Sequence, residues 1–321
     1  MAVVVVGLVP FGMGSAEAAT TPLHQPVAMV APYEYMGWGN PPPPASVLAA
    51  TGIHDFTLAF ILSNGTCDPE WDGSRPLLGG TDAATIAAIR AAGGNVDVSF
   101  GGADGTKLGV VCPNATALMG AYQTVISAYD LSAIDVDIEG IEYASAAARS
   151  RVIIALAALQ RRDPHLEISI TFQVYRSGLG ADGKSMIRHA AALQFQPYAW
   201  TIMTFDLQPA VSNMAAATER LTGDLAQVMA KAYRESSAQA YAHMGISSMN
   251  GDTDIGGETV SVSAFGQILA FAEQKHLARV SFWAVNRDRP CTEGFAAGDG
   301  NCSGISQTPY AFTDLLASYH S

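Results

Sequence analysis

Two kinds of segment take turns along the chain from residue 26 onward. Eight short, largely apolar runs, at 27–33, 55–63, 95–102, 133–140, 167–174, 198–206, 241–249 and 279–285, read as strands. Between them lie Ala-rich stretches with helical spacing, at 81–94, 115–130, 145–163, 213–233 and 263–276, and a last one at 308–320 closes the chain. The first of these opens on an N-cap candidate, Thr81 or Asp82, and ends at Gly93-Gly94. Several strand runs are apolar on both faces, as parallel strands covered by helices must be. No Pro/Ser linker or charge run separates two halves. The pattern predicts an α/β protein folded as a single (β/α)8 TIM barrel. A doubly wound open sheet is the alternative, but no Gly-rich phosphate fingerprint follows the first strand.

One strand breaks the apolar rule. SAIDVDIEG, at 132–140, sets Asp135, Asp137 and Glu139 on alternate residues between aliphatic neighbours. In a strand these acids share one face, while Ile134, Val136 and Ile138 share the other. Acids two residues apart stand ~6.6 Å apart by strand rise, close enough to raise each other's pKa where water is scarce. On an exposed sheet this would be a face of solvated acids. In a barrel the aliphatic side packs on helices, so the acids point into the lumen. Glu139 then lies at the C-terminal mouth, where barrel active sites are built. Three unpaired acids in a closed lumen cannot all stay ionised cheaply, so at least one proton is shared. The outermost acid is placed to carry it, and a carboxyl kept protonated near neutral pH is what glycosidic bond cleavage requires.

Composition narrows the partners. The 321 residues, 49% hydrophobic and 14% charged, can bury a large core. A net charge of −12 argues against nucleic acid and anionic membrane surfaces, and fits a neutral ligand. The N-terminus runs from an apolar stretch to an A-x-A site at Ala16-Glu17-Ala18. It lacks a basic n-region, yet it predicts a signal peptide over 1–18 and a catalytic domain over 19–321. A buried first strand is the other reading. No later segment reaches ~20 uninterrupted apolar residues, so no membrane span is expected, and the processed chain is expected to be secreted and monomeric.

Four cysteines, Cys67, Cys112, Cys291 and Cys302, agree with an oxidising compartment. None forms C-x-x-C and no His accompanies them at metal spacing, so neither metal nor cofactor is expected. Of three pairings, Cys67–Cys112 and Cys291–Cys302 are favoured. The second closes a short Gly-rich loop, and the first ties two successive loops. Free buried thiols are the alternative.

With these motifs in place, the chain resembles the family 18 glycoside hydrolases, the chitinase family, from about residue 27 to residue 302. Asp135, Asp137 and Glu139 match the last three acids of the family's D-x-x-D-x-D-x-E signature on strand four. SFGG, with Gly101 and Gly102, matches S-x-G-G on strand three. MTFD, from Met203 to Asp206, matches the M-x-Y-D region of strand six, and SFWAVNRDRPC resembles the final strand with its sugar-stacking Trp, here Trp283. The resemblance implies Glu139 as proton donor, Asp137 as the group orienting the substrate's acetamido group, and Asp135 as the inner end of the acid relay. It implies no carboxylate nucleophile, because the substrate's own N-acetyl oxygen attacks the anomeric carbon, an exception to the two-carboxylate scheme. The implied ligands are chitin or N-acetylglucosamine oligosaccharides.

Two positions depart from the family pattern. The signature's first Asp is Ser132, at an odd offset from the acidic face. The Tyr that supports the acetamido oxygen is Phe205, which removes a donor that can be worth ~10²-fold in rate. Gln173 and Asp206 serve either sugar hydroxyls or ordinary lumen hydrogen bonds. Tyr33 and Trp38 serve either packing or a cleft wall. The short connection between strands seven and eight implies an open groove and internal chain cleavage. Competing readings are an endo-β-N-acetylglucosaminidase acting on glycans, and a catalytically weak sugar-binding barrel that Phe205 keeps in play.

Overall fold

The computed structural model of the protein describes residues 1–3, 29–292 and 300–319. Its parallel strands are β1 (Met29–Val30, resumed at Tyr33–Tyr35), β2 (Asp55–Ser63), β3 (Asn95–Gly101), β4 (Ala133–Ile138), β5 (Glu167–Gln173), β6 (Ala199–Met203), β7 (Met244–Met249) and β8 (Arg279–Trp283). Each pairs with its neighbour in chain order. β1 closes the ring, because Met29–Val30 pairs with β8 while Tyr33–Tyr35 pairs with β2. In the gap between its two pieces, the Thr57 and Ser281 hydroxyls both donate to the Ala31 carbonyl, at 3.1 and 2.6 Å. The eight strand runs read from the sequence are the eight staves of this barrel.

The apolar core lies between the barrel wall and its helices. Ile134, Val136 and Ile138 of β4 are buried in one cluster with helix residues such as Val125, Val152 and Ile187. The helices Ala115–Tyr129, Ala146–Arg162, Met214–Tyr233 and Val262–Lys275 open on Asn114, Ser145, Asn213 and Ser261. Each of these side chains accepts a backbone N–H three residues on, which satisfies a donor the helix cannot.

Two expectations about helices need correction. Helix Gly80–Ala91 starts after Gly79, and neither Thr81 nor Asp82 caps it. Asp82 is buried and instead takes a two-pronged bond from Arg75, at 2.8 and 2.9 Å, a stronger partner for a carboxylate than a backbone N–H. Helices Pro44–Thr51 and Ala181–Ala192 were not among the periodic stretches. The first starts in a four-proline run that reads as loop, although Pro is tolerated at a helix start. The second buries Gly183, Met186, Ile187 and Ala190, a helical face whose first member has no side chain to reveal it.

The cysteines pair as Cys67–Cys112 and Cys291–Cys302, with Cα–Cα distances of 4.7 and 5.1 Å. The expected leader falls almost wholly outside the described residues. Among the described residues no helix is long and apolar enough to cross a membrane.

Inside the ring the side chains are polar, and one glycine makes room for the largest of them. A Cβ on Gly245 of β7 would stand 2.5 Å from Thr201 Oγ1 and 2.9 Å from Arg279 Cβ. Gly245→Ala should therefore push the Arg279 strand outward and cost ~1–3 kcal/mol, the usual range for overpacking. Urea unfolding of the two proteins checks this. Equal stability would mean that the lumen has slack.

Candidate active site

The floor of the site is Asp135, fully buried at the centre of the lumen. Its carboxylate accepts four bonds. Tyr33 and Ser99 hydroxyls donate to Oδ2 at 2.8 and 2.6 Å, and Thr171 Oγ1 and Arg279 Nη1 donate to Oδ1 at 2.7 and 2.8 Å. Arg279 is itself fully buried, donates from Nη2 to Thr57 Oγ1 at 2.9 Å, and stands 3.6 Å from Asp97. The expectation of three unpaired acids is thus corrected, since Asp135 has a cationic partner. Arg279 was readable. It lies four residues before Trp283 on β8, so strand parity puts both on the lumen face.

Above Asp135 the two outer acids lack such a partner. Asp137 is buried, and its carboxyl is held well above the usual carboxylate range by desolvation, then by repulsion from Glu139 and Asp135. Its Oδ1 has no hydrogen-bond partner among the described residues. Glu139 stands just past the end of β4, at the cap of the short helix Gly140–Ala144, and shares a hydrogen bond with Asp137. Burial pushes its carboxyl up to about 7, against the pull of the Lys107 ammonium. Two neighbouring carboxyls with raised affinity for protons hold one between them at mildly acidic pH. Lys107, which sequence reasoning missed, is buried and bonded to the Gly101 carbonyl at 3.3 Å and to the Asp104 carbonyl. No pattern in the sequence singles it out.

The acids open into a cleft of 520 Å³, within the range of small-ligand sites. One wall is aromatic. Trp283 stacks on Phe60, ring centroids 5.6 Å apart and planes 13° apart, and Trp38 meets Trp283 edge-on at 5.9 Å. Trp38 is exposed to 45%, enough to present a face. Asn286 positions this wall by donating to the Tyr35 and Trp38 carbonyls at 2.8 and 3.0 Å and accepting the Tyr35 N–H at 3.0 Å. Phe60 and Asn286 were not among the expected residues. Phe60 lies within a register shift of the β2–β3 pairing, between Leu58 and Ile61, where simple alternation gives no guide.

Of the residues expected to meet substrate, Trp283, Met203, Phe205 and Asp206 line this cleft beside Asp137 and Glu139. Gln173, Gly101 and Gly102 lie outside its lining. The Gln173 amide bonds the Tyr175 hydroxyl at 3.1 Å. Gly101 and Gly102 shape the backbone instead. Both have φ above +80°, and side chains there would collide with the Asp137 carbonyl and the Phe60 ring. Tyr33 belongs to the floor. Other carboxylates also border the cleft: Asp72, Asp104, Asp206 and Asp254. Burial, then the nearby Asp254 charge, pushes Asp206 up to about 6.

No protein-family model matches the chain. Among curated proteins it is 26% identical, over 95% of its length, to a "probable bifunctional chitinase/lysozyme" of Escherichia coli strain K12. It is 27% identical, over 86% of its length, to "Endochitinase 11" of Metarhizium anisopliae. The chain spans only 36% and 56% of those two relatives. Among solved structures, the catalytic domain of a hyperthermophilic chitinase from Pyrococcus furiosus superposes with a TM-score of 0.79 at 26% identity. That match covers 90% of this chain and 93% of the other. A GH18 chitinase from Pseudoalteromonas aurantia shares the fold, with a TM-score of 0.58 at 16% identity over 81% of this chain and 95% of that one. The barrel and these likenesses to chitinases agree with the resemblance to the family 18 glycoside hydrolases that the motifs carry.

Proposed function

We propose that the chain is an exported chitinase that cuts β-1,4-linked N-acetylglucosamine polymers internally, with retention and with help from the substrate's acetamido group. The observation that carries this reading is the Asp137–Glu139 pair, two hydrogen-bonded carboxyls of raised proton affinity at the bottom of an aromatic-walled cleft. Catalytic-site mutants of the Pyrococcus furiosus chitinase domain have been crystallised with chito-oligosaccharides, which favours the same substrate class here. The two disulfides favour an oxidising compartment. Between β7 and helix Val262–Lys275 the chain forms only a small hairpin, Gly251–Asp252 with Thr259–Val260, which favours an open groove on that side. An open groove suits internal cleavage.

The resemblance implies the chemistry, and the site has groups placed to carry it. A pyranose ring stacks on the aromatic wall near Trp283. Glu139 gives its proton to the glycosidic oxygen as that oxygen leaves the anomeric carbon. The acetamido oxygen forms the new bond to the same carbon, and the unpartnered Asp137 Oδ1 accepts the acetamido N–H as its nitrogen gains positive charge. Water then opens the oxazolinium ring, with the Glu139 carboxylate taking its proton. Phe205 offers the acetamido oxygen no hydroxyl, so this enzyme is expected to be slower than one with Tyr there.

Incubating the protein with acetylated tetramer and with its deacetylated counterpart, followed by product sizing and early-time NMR, tests the reading. Acetylated tetramer should be cut to products that first appear as β-anomers, and deacetylated tetramer should survive. An initial α-anomer, or efficient cleavage without any acetamido group, would contradict the mechanism and direct attention to the other cleft carboxylates. Measurable binding of both with no cleavage would instead favour the weak sugar-binding barrel.

Glu139→Gln should separate catalysis from stability. Turnover should fall ~10²-fold or more, as expected for loss of a general acid. Stability should move the other way. In wild type the folded carboxyl holds its proton up to about 7, whereas an unfolded Glu releases it near ~4.3. Folding stability therefore declines as pH rises through that window. The variant lacks this loss, so its Tm should match wild type near pH 4 and exceed it above pH 7. A Tm deficit that is the same at every pH would refute the raised proton affinity.

A further inference from the structure

Lys107 has no part in the chemistry above, yet it is the one buried ammonium beside the acid pair among the described residues. Burying a lysine is costly, and desolvation holds its pKa below the ordinary lysine value. Its hydrogen bonds go to the carbonyls of Gly101 and Asp104, which a neutral amide could also donate to. What a neutral group would not supply is charge. The carboxyls that act on it are, in order of strength, Glu142, Glu139, Asp137 and Asp104. Gly101 pairs with Asp137 across β3 and β4, so the ammonium sits at the end of the strand that flanks the catalytic one.

Glu142 is the unexpected member of that group. It is buried on helix Gly140–Ala144, where its N–H donates to the Glu139 carbonyl at 3.1 Å. Its carboxyl packs over Gly109 and accepts that residue's N–H, in space a side chain at 109 would fill. Arg151 reaches the same turn by donating to the Gly109 carbonyl at 2.5 Å, and the buried Tyr122 hydroxyl of helix Ala115–Tyr129 feels the Glu142 charge. Burial pushes the Glu142 carboxyl up to about 7, with Lys107 and the Gly109 N–H opposing. Lys107 thus feels two sets of acids, the reactive pair and a buried carboxyl outside the cleft lining.

We propose that Lys107 is a positioning cation that sets how tightly the Asp137–Glu139 pair holds its proton, and that Glu142 is the counter-charge that limits its pull. Glu139 also faces Asp206 and Asp104, whose negative charge acts against the lysine. Remove the cation and the pair keeps its proton to higher pH. Neutralise Glu142 and the cation acts on the pair without competition, so the proton leaves at lower pH. The two changes move the acid in opposite directions, which no loss of packing would do.

The inference rests on Glu139 as the general acid, so the test has one readout with turnover and one without. The first is the pH profile of kcat/KM on acetylated tetramer, and the second is the titration of the Glu139 carboxyl carbon in protein labelled with ¹³C-carboxyl glutamate, assigned by its loss in Glu139→Gln. Lys107→Gln should raise both the alkaline limb and the carboxyl midpoint by about one pH unit, the lower end of the effect of a nearby opposite charge. Lys107→Arg should restore both toward wild type, and Glu142→Gln should lower both. Shifts of the same sign in the Lys107→Gln and Glu142→Gln variants, or unchanged midpoints with a lower Tm alone, would overturn the proposal. If Lys107→Gln does not fold, the direction of the Glu142→Gln shift decides. If wild type cuts no oligomer, the functional reading fails while the carboxyl titration still decides this one.

Discussion

The ion pair between Asp135 and Arg279 is the interaction on which the rest of the site depends. Both side chains are fully buried and 2.8 Å apart, so each is tolerable only because the other is present. Removing one partner of such a pair leaves an uncompensated charge and costs ~3–5 kcal/mol. Thr57, Thr171, Ser99 and Tyr33 complete the frame, and Gly245 leaves the space for Arg279 at its backbone and Cβ. Because the arginine's charge is committed to Asp135 and Asp97, little of it reaches the acids above. Asp137 then feels mainly desolvation and two like charges, and the proton it would otherwise lose stays with the outer pair. The lumen thus sorts three chemically similar carboxyls into an ion-paired inner acid and a proton-holding outer pair.

The cleft wall obeys a different constraint, because Trp38 sits on a loop rather than on the barrel strands that carry Phe60 and Trp283. Trp38 is carried by a turn that Asn286 grips through two carbonyls. Arg289 adds bonds to the Gly39 and Asn40 carbonyls at 2.8 and 2.9 Å, and another to the Asn301 carbonyl at 2.6 Å. Gly300 lies against the Trp38 ring with no room for a side chain. The Cys291–Cys302 bridge closes the segment that carries these contacts. One disulfide therefore helps to hold a prospective sugar platform as well as the chain.

Much of this was legible in the sequence, and the reasons are specific. The barrel followed from eight runs of strand character, and the acidic face from a two-residue period in one of them. Both are local signals that tertiary packing reinforces. Arg279 follows the same period, at the opposite end of its strand from Trp283. Lys107, Asn286 and Glu142 left no signal of this kind. They act through loops and one short helix, where neighbours in space are set by turns and not by a period. Asp82 looked like a cap by spacing, and only the approach of Arg75 from a preceding loop gave it another role. Gly101 and Gly102 matched a motif, and the structure gives them backbone work beneath Asp137 and Phe60.

The division of labour among the three acids is the centre of this account. It can be seen directly by neutron diffraction from deuterated crystals grown near pH 6. The account expects one deuteron in the hydrogen bond between Asp137 and Glu139, a bare Asp135 carboxylate accepting its four bonds, and a fully deuterated Arg279 guanidinium. A deuteron on Asp135, or none between Asp137 and Glu139, would contradict it.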